Sequence, residues 1–417
     1  MYKIAKAVIA PIMSLIILVM GNGLFTTFTS LRLKQEGYSP EMVGYVTAAY
    51  FLGLVIGSIR SHKLIERIGY IRAFAIFSSC TAALVMLQSL FIDPWIWMGL
   101  RFLSGICLAG HFITIESWLL VKSTTKTKGK VLSIYMIALY ASQATGQFFL
   151  NIAPIETVIP FAITVIFASL SIVPVCFSRT PAPTIQKPSY LTVFKLYKIS
   201  PLGVIGSILG GFLLGVIYGL LPIFAGYLDL DTHDAALIVA LTIYGGLLLQ
   251  WPIGYLSDLI DRRKVLFGVS IIIIILSLFI AWINSYSYPL LLVSVCLFGG
   301  FTFTVCPLST SHTSDHLESS DDTIAALGGL ILVYGIGAII GPIIASYCMQ
   351  ILGAPGIFYY FAATSAVLGL YTLWRIFKQT PIPQEEKLTF RTSPRTTPLS
   401  SELDPRADEV KKNDTMD

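Results

Sequence analysis

Along the 417-residue chain, apolar runs long enough to cross a bilayer recur about twelve times, divided by short polar breaks. A spanning helix needs about 20 mainly apolar residues, and lipid admits only helices or closed barrels because backbone polar groups must be paired within the protein. These runs are too long for barrel strands of about 10 residues. The first half has runs at about 8–31, 41–60, 73–92, 95–120, 131–151 and 157–178. The second has them at about 201–225, 235–256, 265–283, 288–308, 323–348 and 355–376. The pattern predicts an all-α membrane protein of about twelve transmembrane helices in two six-helix bundles, residues 1–178 and 201–377.

The polar segments complete this plan. Residues 179–200 hold Pro181, Pro183 and Pro188 with Lys187, Lys195 and Lys198, and are expected to form a cytoplasmic linker. Residues 378–417 are Pro, Ser, Thr and charge, with almost no large apolar residue after Phe390, which predicts a disordered cytoplasmic tail. Lys3 and Lys6 ahead of an apolar run imitate a signal peptide. That run reaches from Val8 to about Leu31, too long for a cleaved segment, and reads as span one.

Composition sharpens the picture: 55% of residues are hydrophobic, 12% are charged and mean hydropathy is +0.77. The net charge of +5 sits in short clusters beside the spans, which is the way topology is written, and excludes a nucleic-acid partner. Taking alternate loops as cytoplasmic collects Arg60, Lys63, Arg67 and Arg72, then Lys122, Lys126, Lys128 and Lys130, the linker, Arg262 to Lys264 and the tail. Only Arg32 and Lys34 fall opposite. The expected location is the cell (inner) membrane with both termini cytoplasmic, although the loop Ser309–Asp322 carries acids and no Lys or Arg. Six cysteines stand singly in apolar segments, which suggests neither a disulfide frame nor a metal site. Span nine, with Ile271 to Ile275 in a row, is expected to face lipid. Spans one, two, five, seven, eight and eleven carry Gly, Asn, Gln, Thr and Tyr, and are expected inside.

One compact knot of charge stands out, Gly254 to Lys264, reading G-Y-L-S-D-L-I-D-R-R-K. Its echo, His62 to Arg72, sets Glu66 against Asp258 and Gly53 against Gly245. Two six-helix halves with a charged turn after spans two and eight resemble the major facilitator superfamily of secondary transporters, over roughly residues 8–377. The family's motif A, GxLxDxxGRRK, is similar to Gly254, Leu256, Asp258, Arg262, Arg263 and Lys264, with Asp261 where the family usually has Gly. In the first copy Arg67, Gly69 and Arg72 fit, while His62 and Glu66 depart. Arg101 to Ala109 resembles the RxxxGxxxA motif of span four, and Gly335, Gly337, Gly341 and Pro342 the Gly-Pro packing motif of span eleven. In span five Gly146 matches motif C, with Gln147 where antiporters usually have Pro. Gln250 to Gly254 and Tyr218 to Pro222 resemble a bacterial subgroup known as YcaD-like, which implies no substrate.

The charged turns suggest a gate latch. A carboxylate at Asp258 can accept from unpaired N–H groups at a neighbouring helix start, and Arg262 and Arg263 can pair with acids across the two halves. A plain topology anchor is the alternative. Glu116, an acid inside an apolar span, is expected to be paired or functional. The family pattern implies a latch partner for Arg67 or Arg72, and a proton-coupling carboxylate is the other reading. Asp315 is the analogous acid in the second half, facing Arg262 or Arg263. Arg101 lies about 22 Å from Glu116 along one helix. It is expected either to reach the surface beside Asp93 or, as the resemblance implies, to serve proton coupling. His111 is expected in the core or at a substrate and proton site. The remaining cavity candidates are Asn22, Thr26, Tyr50, Tyr140, Gln143, Tyr218, Tyr244, Gln250 and Tyr334, which together describe a neutral pocket.

With no nucleotide-binding loop and no HExxH or GxSxG motif, a built-in ATP motor and common hydrolytic chemistry are not expected. The leading expectation is a secondary transporter of a small-molecule substrate by alternating access, possible coupling to protons included, monomeric in the lipid bilayer and without cofactors or metal. A uniporter or drug efflux facilitator, and in another class a sensor or lipid-handling protein, are the alternatives.

Overall fold

The computed structural model describes residues 2–177, 189–228, 230–283, 287–317, 319–383, 387–392 and 394–406, with side chains from residue 8 and without that of residue 320. The side chains of Lys3 and Lys6, the first part of the linker, Glu318 and the tail beyond Arg406 lie outside the described residues.

Among the described residues twelve long helices run back and forth in two sets of six. The first set is α1 (Tyr2–Gln35), α2 (Pro40–Ile68), α3 (Tyr70–Leu90), α4 (Pro94–Lys122), α5 (Lys128–Gln147) and α6 (Ile159–Cys176). The second is α7 (Pro201–Gly219), α8 (Thr232–Leu259), α9 (Arg262–Ile283), α10 (Tyr288–Ser314), α11 (Ser320–Leu352) and α12 (Gly356–Lys378). Eleven of these are long and apolar enough to cross a membrane. The exception is α5, whose Ser142, Gln143, Thr145 and Gln147 lower its hydropathy, yet it lies in the same layer against α1 and α8. Between the sets, Val193–Ile199 forms a short helix, and Leu191 N–H donates to the Ala325 carbonyl of α11. The six cysteines are free.

Lipid tails are as apolar as leucine, so these helices associate through close backbone approach at small residues. A Cβ on Gly53 of α2 would lie 1.9 Å from the Phe102 carbonyl oxygen of α4, and one on Gly105 would lie 2.2 Å from that of Tyr50. The second set repeats the crossing between α8 and α10, at 1.9 Å from Gly245 to the Cys296 oxygen and 2.0 Å from Gly299 to that of Thr242. The internal echo of the sequence is thus a repeated helix crossing. In α11, Gly337 and Gly341 meet the α7 backbone while Gly335 faces Val55 of α2. On α9, Ile271 and Ile275 are exposed and Ile273 is buried.

The halves touch at the face opposite the linker. There the Ser30 hydroxyl donates to the Gly219 carbonyl at 2.6 Å, joining α1 to α7, and the Tyr45 and Tyr347 hydroxyls meet at 2.5 Å, joining α2 to α11. Thr145 and Tyr244 join α5 to α8 at 2.8 Å. The two basic residues on this face are used within it. Arg32 donates to the Ile155 carbonyl at 2.7 Å and pairs with Glu36 at 2.6 Å, and the Lys34 ammonium sits 4.5 Å from the Tyr227 ring centre.

On the linker face the gap between the halves is filled by the chain's own residues 388–392 and 394–406. This corrects the expectation of a disordered tail for that stretch. Pro398–Leu403 is a 3-10 helix, with Leu399 and Leu403 buried against the halves. The segment is too poor in apolar residues to build a core of its own, but here it is supplied with one side of a polar cavity.

Candidate functional site

Between the two sets lies a cavity of about 100 Å³. Asn22 and Thr26 from α1, Tyr50 from α2, Tyr140 and Gln143 from α5, Tyr218 from α7 and Tyr334 from α11 line it, with Phe51, Leu54, Leu108, Phe112 and Leu139 as its apolar wall. The expected interior helices are therefore present except α8, whose place is taken by α4. The wall is internally bonded: Tyr50 donates to the Asn22 side-chain oxygen at 3.0 Å, and the Thr26 hydroxyl to the Asn22 carbonyl at 2.8 Å. Among the described residues the twelve helices contribute no charged side chain to this lining.

Three expected cavity residues stand elsewhere. Tyr244 is the contact to Thr145 on the closed side. Gln250 is buried in α8 away from the lining. His111 lies in a smaller cavity of about 30 Å³ within the first set, its Nε2 3.0 Å from the Ser78 hydroxyl and its ring edge-on to Phe74 at 4.8 Å. Helical phase explains it: Leu108 and Phe112 share the face toward the gap, while His111 points toward α3 and α6.

Arg101 is buried, not at the surface. Its Nη2 is 3.4 Å from the Thr26 hydroxyl and its guanidinium lies 4.3 Å from the Tyr50 ring centre and 5.3 Å from that of Phe25. Asp93, the expected partner, instead caps α4 by accepting from the Trp95 and Ile96 N–H groups. Two turns into α4, Arg101 faces α1 and α2, and the aromatic faces there stand in for a counter-ion.

Glu116 sits at the linker-side end of the cavity, fully buried. Tyr135 donates to it at 2.8 Å, and the hydroxyls of Thr396 and Thr397 donate to its two oxygens. The expected pairing with Arg67 or Arg72 is not made. Those side chains and Glu66 are exposed and form no ion pair among the described residues, because they lie on the outer side of the α2–α3 turn while Glu116 faces the gap. Gly69 makes that turn, with φ of +84° that only glycine adopts without strain.

The second charged turn is paired within its own half. Arg262 binds Asp315 at 2.6 Å and Asp258 at 3.1 Å. Arg263 pairs with Asp261 at 2.7 Å and donates to the Gln379 carbonyl beyond α12 at 2.9 Å, so it does not reach the first half. Asp261, the departure from the family pattern, also accepts the Arg263 N–H at 2.9 Å and starts α9. Outside the membrane-spanning segments, burial pushes the Asp315 carboxyl above the usual carboxylate range against the pull of Arg262. The Asp261 carboxyl, although burial opposes it, lies below that range because of its bonds to Arg263.

Sequence reasoning missed the C-terminal contributors. Arg395 donates to the Tyr140 hydroxyl at 2.8 Å and to the Phe303 carbonyl at 3.0 Å, and Arg395 and Thr396 complete the cavity lining. Leu388 N–H donates to Asp315 at 3.1 Å and Phe390 N–H to Asp258 at 2.9 Å. The available signal was Leu399 and Leu403, an apolar pair at helical spacing in a polar tail. Elsewhere, Asp231, His233 and Asp234 offer ligand atoms within 4.8 Å of one another, but Asp231 caps α8 and Asp234 accepts from Tyr288 at 2.5 Å.

The same architecture recurs among known proteins. The Major Facilitator Superfamily profile matches residues 12–318 and 203–407. The chain is 28% identical to an uncharacterized MFS-type transporter YcaD of Escherichia fergusonii over 349 residues, covering 83% of this chain and 89% of that protein. It is 28% identical over 382 residues to the YcaD of Escherichia coli O17:K52:H18, covering 91% and 98%. Among solved structures, a mutant of the nucleoside transporter NupG superposes with a TM-score of 0.74 at 14% identity, covering 88% of this chain and 98% of that one. Unmutated NupG gives 0.71 at 14%, covering 89% and 100%.

Proposed function

The chain belongs to the major facilitator superfamily of membrane transporters, and from that premise we propose that it moves a small neutral polar solute across the cell (inner) membrane by alternating access. The observation that carries the reading is the cavity between two six-helix sets, joined on one face by Ser30–Gly219, Tyr45–Tyr347 and Thr145–Tyr244 and parted on the other. Rocking of the sets exposes such a site to one side at a time. The linker face, rich in Lys and Arg, is the cytoplasmic one on this reading. Hydroxyls, amides and rings at Asn22, Thr26, Tyr140, Gln143, Tyr218 and Tyr334 suit a solute that offers hydrogen bonds and a flat apolar face.

Glu116 is the proposed proton-coupling group: it is buried, its hydrogen-bond donors are hydroxyls, and among the described residues no cation pairs with it. The charged turn at Gly254–Lys264 is the proposed latch of the opposite state, in which Asp258, Arg262 and Arg263 re-pair as the linker face closes.

The test is uptake into proteoliposomes from a panel of neutral amino acids, sugars and nucleosides with an imposed pH gradient. Accumulation of one class is expected, with Tyr140→Ala raising its KM about tenfold or more, as loss of a cavity contact of about 1.4 kcal/mol requires. Glu116→Gln is expected to abolish gradient-driven accumulation while leaving exchange down a concentration gradient. Gradient-driven accumulation by that variant at the wild-type level would remove Glu116 from coupling, and absence of flux for the whole panel would sink the reading.

A further inference from the structure

We propose that the C-terminal segment, described at residues 388–392 and 394–406, is an intramolecular plug: the inward-facing cavity is a binding site for this segment of the chain itself, and plug and solute exclude one another there. The proposal rests on the transporter reading for the word solute, and on geometry for the rest.

The segment bridges both halves. From the first set it engages Glu116 through Thr396 and Thr397, and Tyr140 through Arg395. From the second it engages Asp258 and Asp315 through the N–H groups of Phe390 and Leu388, and Ser311 through Arg406 at 2.8 Å. Its own Asp404 and Arg406 pair at 2.5 Å with both side chains buried. Of the groups they reach, Glu116, Tyr140 and Ser311 are buried, and removing these bonds would leave Glu116 with the Tyr135 hydroxyl as its donor.

The fit also extends to shape. A Cβ on Gly254 would lie 2.2 Å from the Phe390 ring, and one on Gly328 would lie 3.4 Å from the Pro398 Cβ. Glycine at 254 thus admits the plug where any larger residue would meet it. Arg395 reaches farthest in, with its guanidinium 5.6 Å from the Phe303 ring centre and 6.0 Å from those of Tyr140 and Tyr334.

The docked plug constrains the transport cycle in two ways. The linker face cannot close on a segment lying between the sets, so the docked plug holds the open state. The carboxylate of Asp258 is also engaged with Phe390 and Arg262, which keeps the charged turn from pairing across the halves. Since only a short tether joins the plug to α12, its effective concentration at the cavity is on the order of millimolar. A solute must outcompete it, or the plug must be drawn off.

Docking is tested without any substrate. In inside-out vesicles, Leu54→Cys in the cavity wall is labelled with a membrane-impermeant maleimide, and the peptide bearing position 54 is followed by mass spectrometry. Labelling is expected to be at least tenfold faster in a chain ending at Lys387 than in the full chain, with Arg395→Ala plus Thr396→Ala intermediate. p-Benzoylphenylalanine in place of Phe390 is expected to crosslink to α8 near Gly254. Equal labelling rates, or crosslinks confined to lipid and other proteins, would overturn the plug. For exclusion, initial uptake by the shortened chain is expected to rise several-fold over the full chain at equal abundance, and an unchanged or lower rate would overturn it. Fast labelling with no flux in either form would sink the transporter reading and leave the docked segment standing.

Discussion

At the scale of single residues, the pair of Arg262 and Asp315 has consequences that can be measured. Both side chains are only 2% exposed, and among the described residues Arg262 is the ion-pair partner of that carboxylate. Breaking one side of a buried pair costs about 3–5 kcal/mol because the remaining charge is left uncompensated. Arg262→Ala should therefore lower the thermal midpoint in detergent, and Asp315→Asn in the same chain should return part of the loss. Burial holds the Asp315 carboxyl above its usual range and Arg262 is the largest opposing influence, ahead of the Leu388 N–H and Arg406, so removing Arg262 raises the carboxyl further. A carboxyl raised in the folded state contributes stability below its unfolded pKa, and that contribution is lost as pH rises through the folded value. The deficit of Arg262→Ala should thus shrink as pH falls toward the acid side of neutrality. A deficit that did not move with pH would remove Asp315 as its cause. The sequence made this pair legible because both residues flank span ends on one face. It could not reveal Arg101 among rings or His111 behind Leu108, since side-chain direction around a helix decides both and hydropathy is nearly blind to it.

At the scale of elements, α5 shows how a helix too polar for a simple hydropathy reading still belongs to the bundle. Its face toward α1 is built from close approach and one bridging amide. A Cβ on Gly146 would lie 2.3 Å from the Met20 carbonyl oxygen, and Gln147 donates to the carbonyls of Gly23 and Gln143 at 3.1 Å each. Intramembrane hydrogen bonds of this kind are worth about 0.6 kcal/mol on average and at most about 1.7 kcal/mol. Gln147→Leu should accordingly cost little stability, whereas Gly146→Val forces the two backbones apart, and overpacking costs about 1–3 kcal/mol or more. Thermal unfolding of the two variants side by side checks the order, and a larger loss for Gln147→Leu would contradict it. The span boundaries were legible because lipid imposes a length. The tail was not, because its order comes from partners 73 to 281 positions away in the chain, and composition sees only the segment itself.

At the scale of the whole molecule, the hydrogen bonds that join helices of the two halves, Ser30–Gly219, Tyr45–Tyr347 and Thr145–Tyr244, lie on one face, and alternating access requires that they come apart. Tyr45 and Tyr347 are the most direct handle, one from each half, with hydroxyls 2.5 Å apart and rings edge-on at 6.5 Å. If the halves rock, Tyr45→Cys with Tyr347→Cys, bridged by a short thiol crosslinker, should stop transport of whichever solute the chain carries, and reduction should restore it. The same bridge should leave maleimide labelling from the linker side unaffected, because it holds the chain in the state that is already open there. Full transport with the bridge intact would mean that these helices do not part during the cycle. The plug makes a second demand on the same motion. A bridged chain ending at Lys387 should label fast and transport nothing, while an unbridged one should label fast and transport. That separation assigns the gate on one face to the helix contacts and the block on the open face to the C-terminal plug.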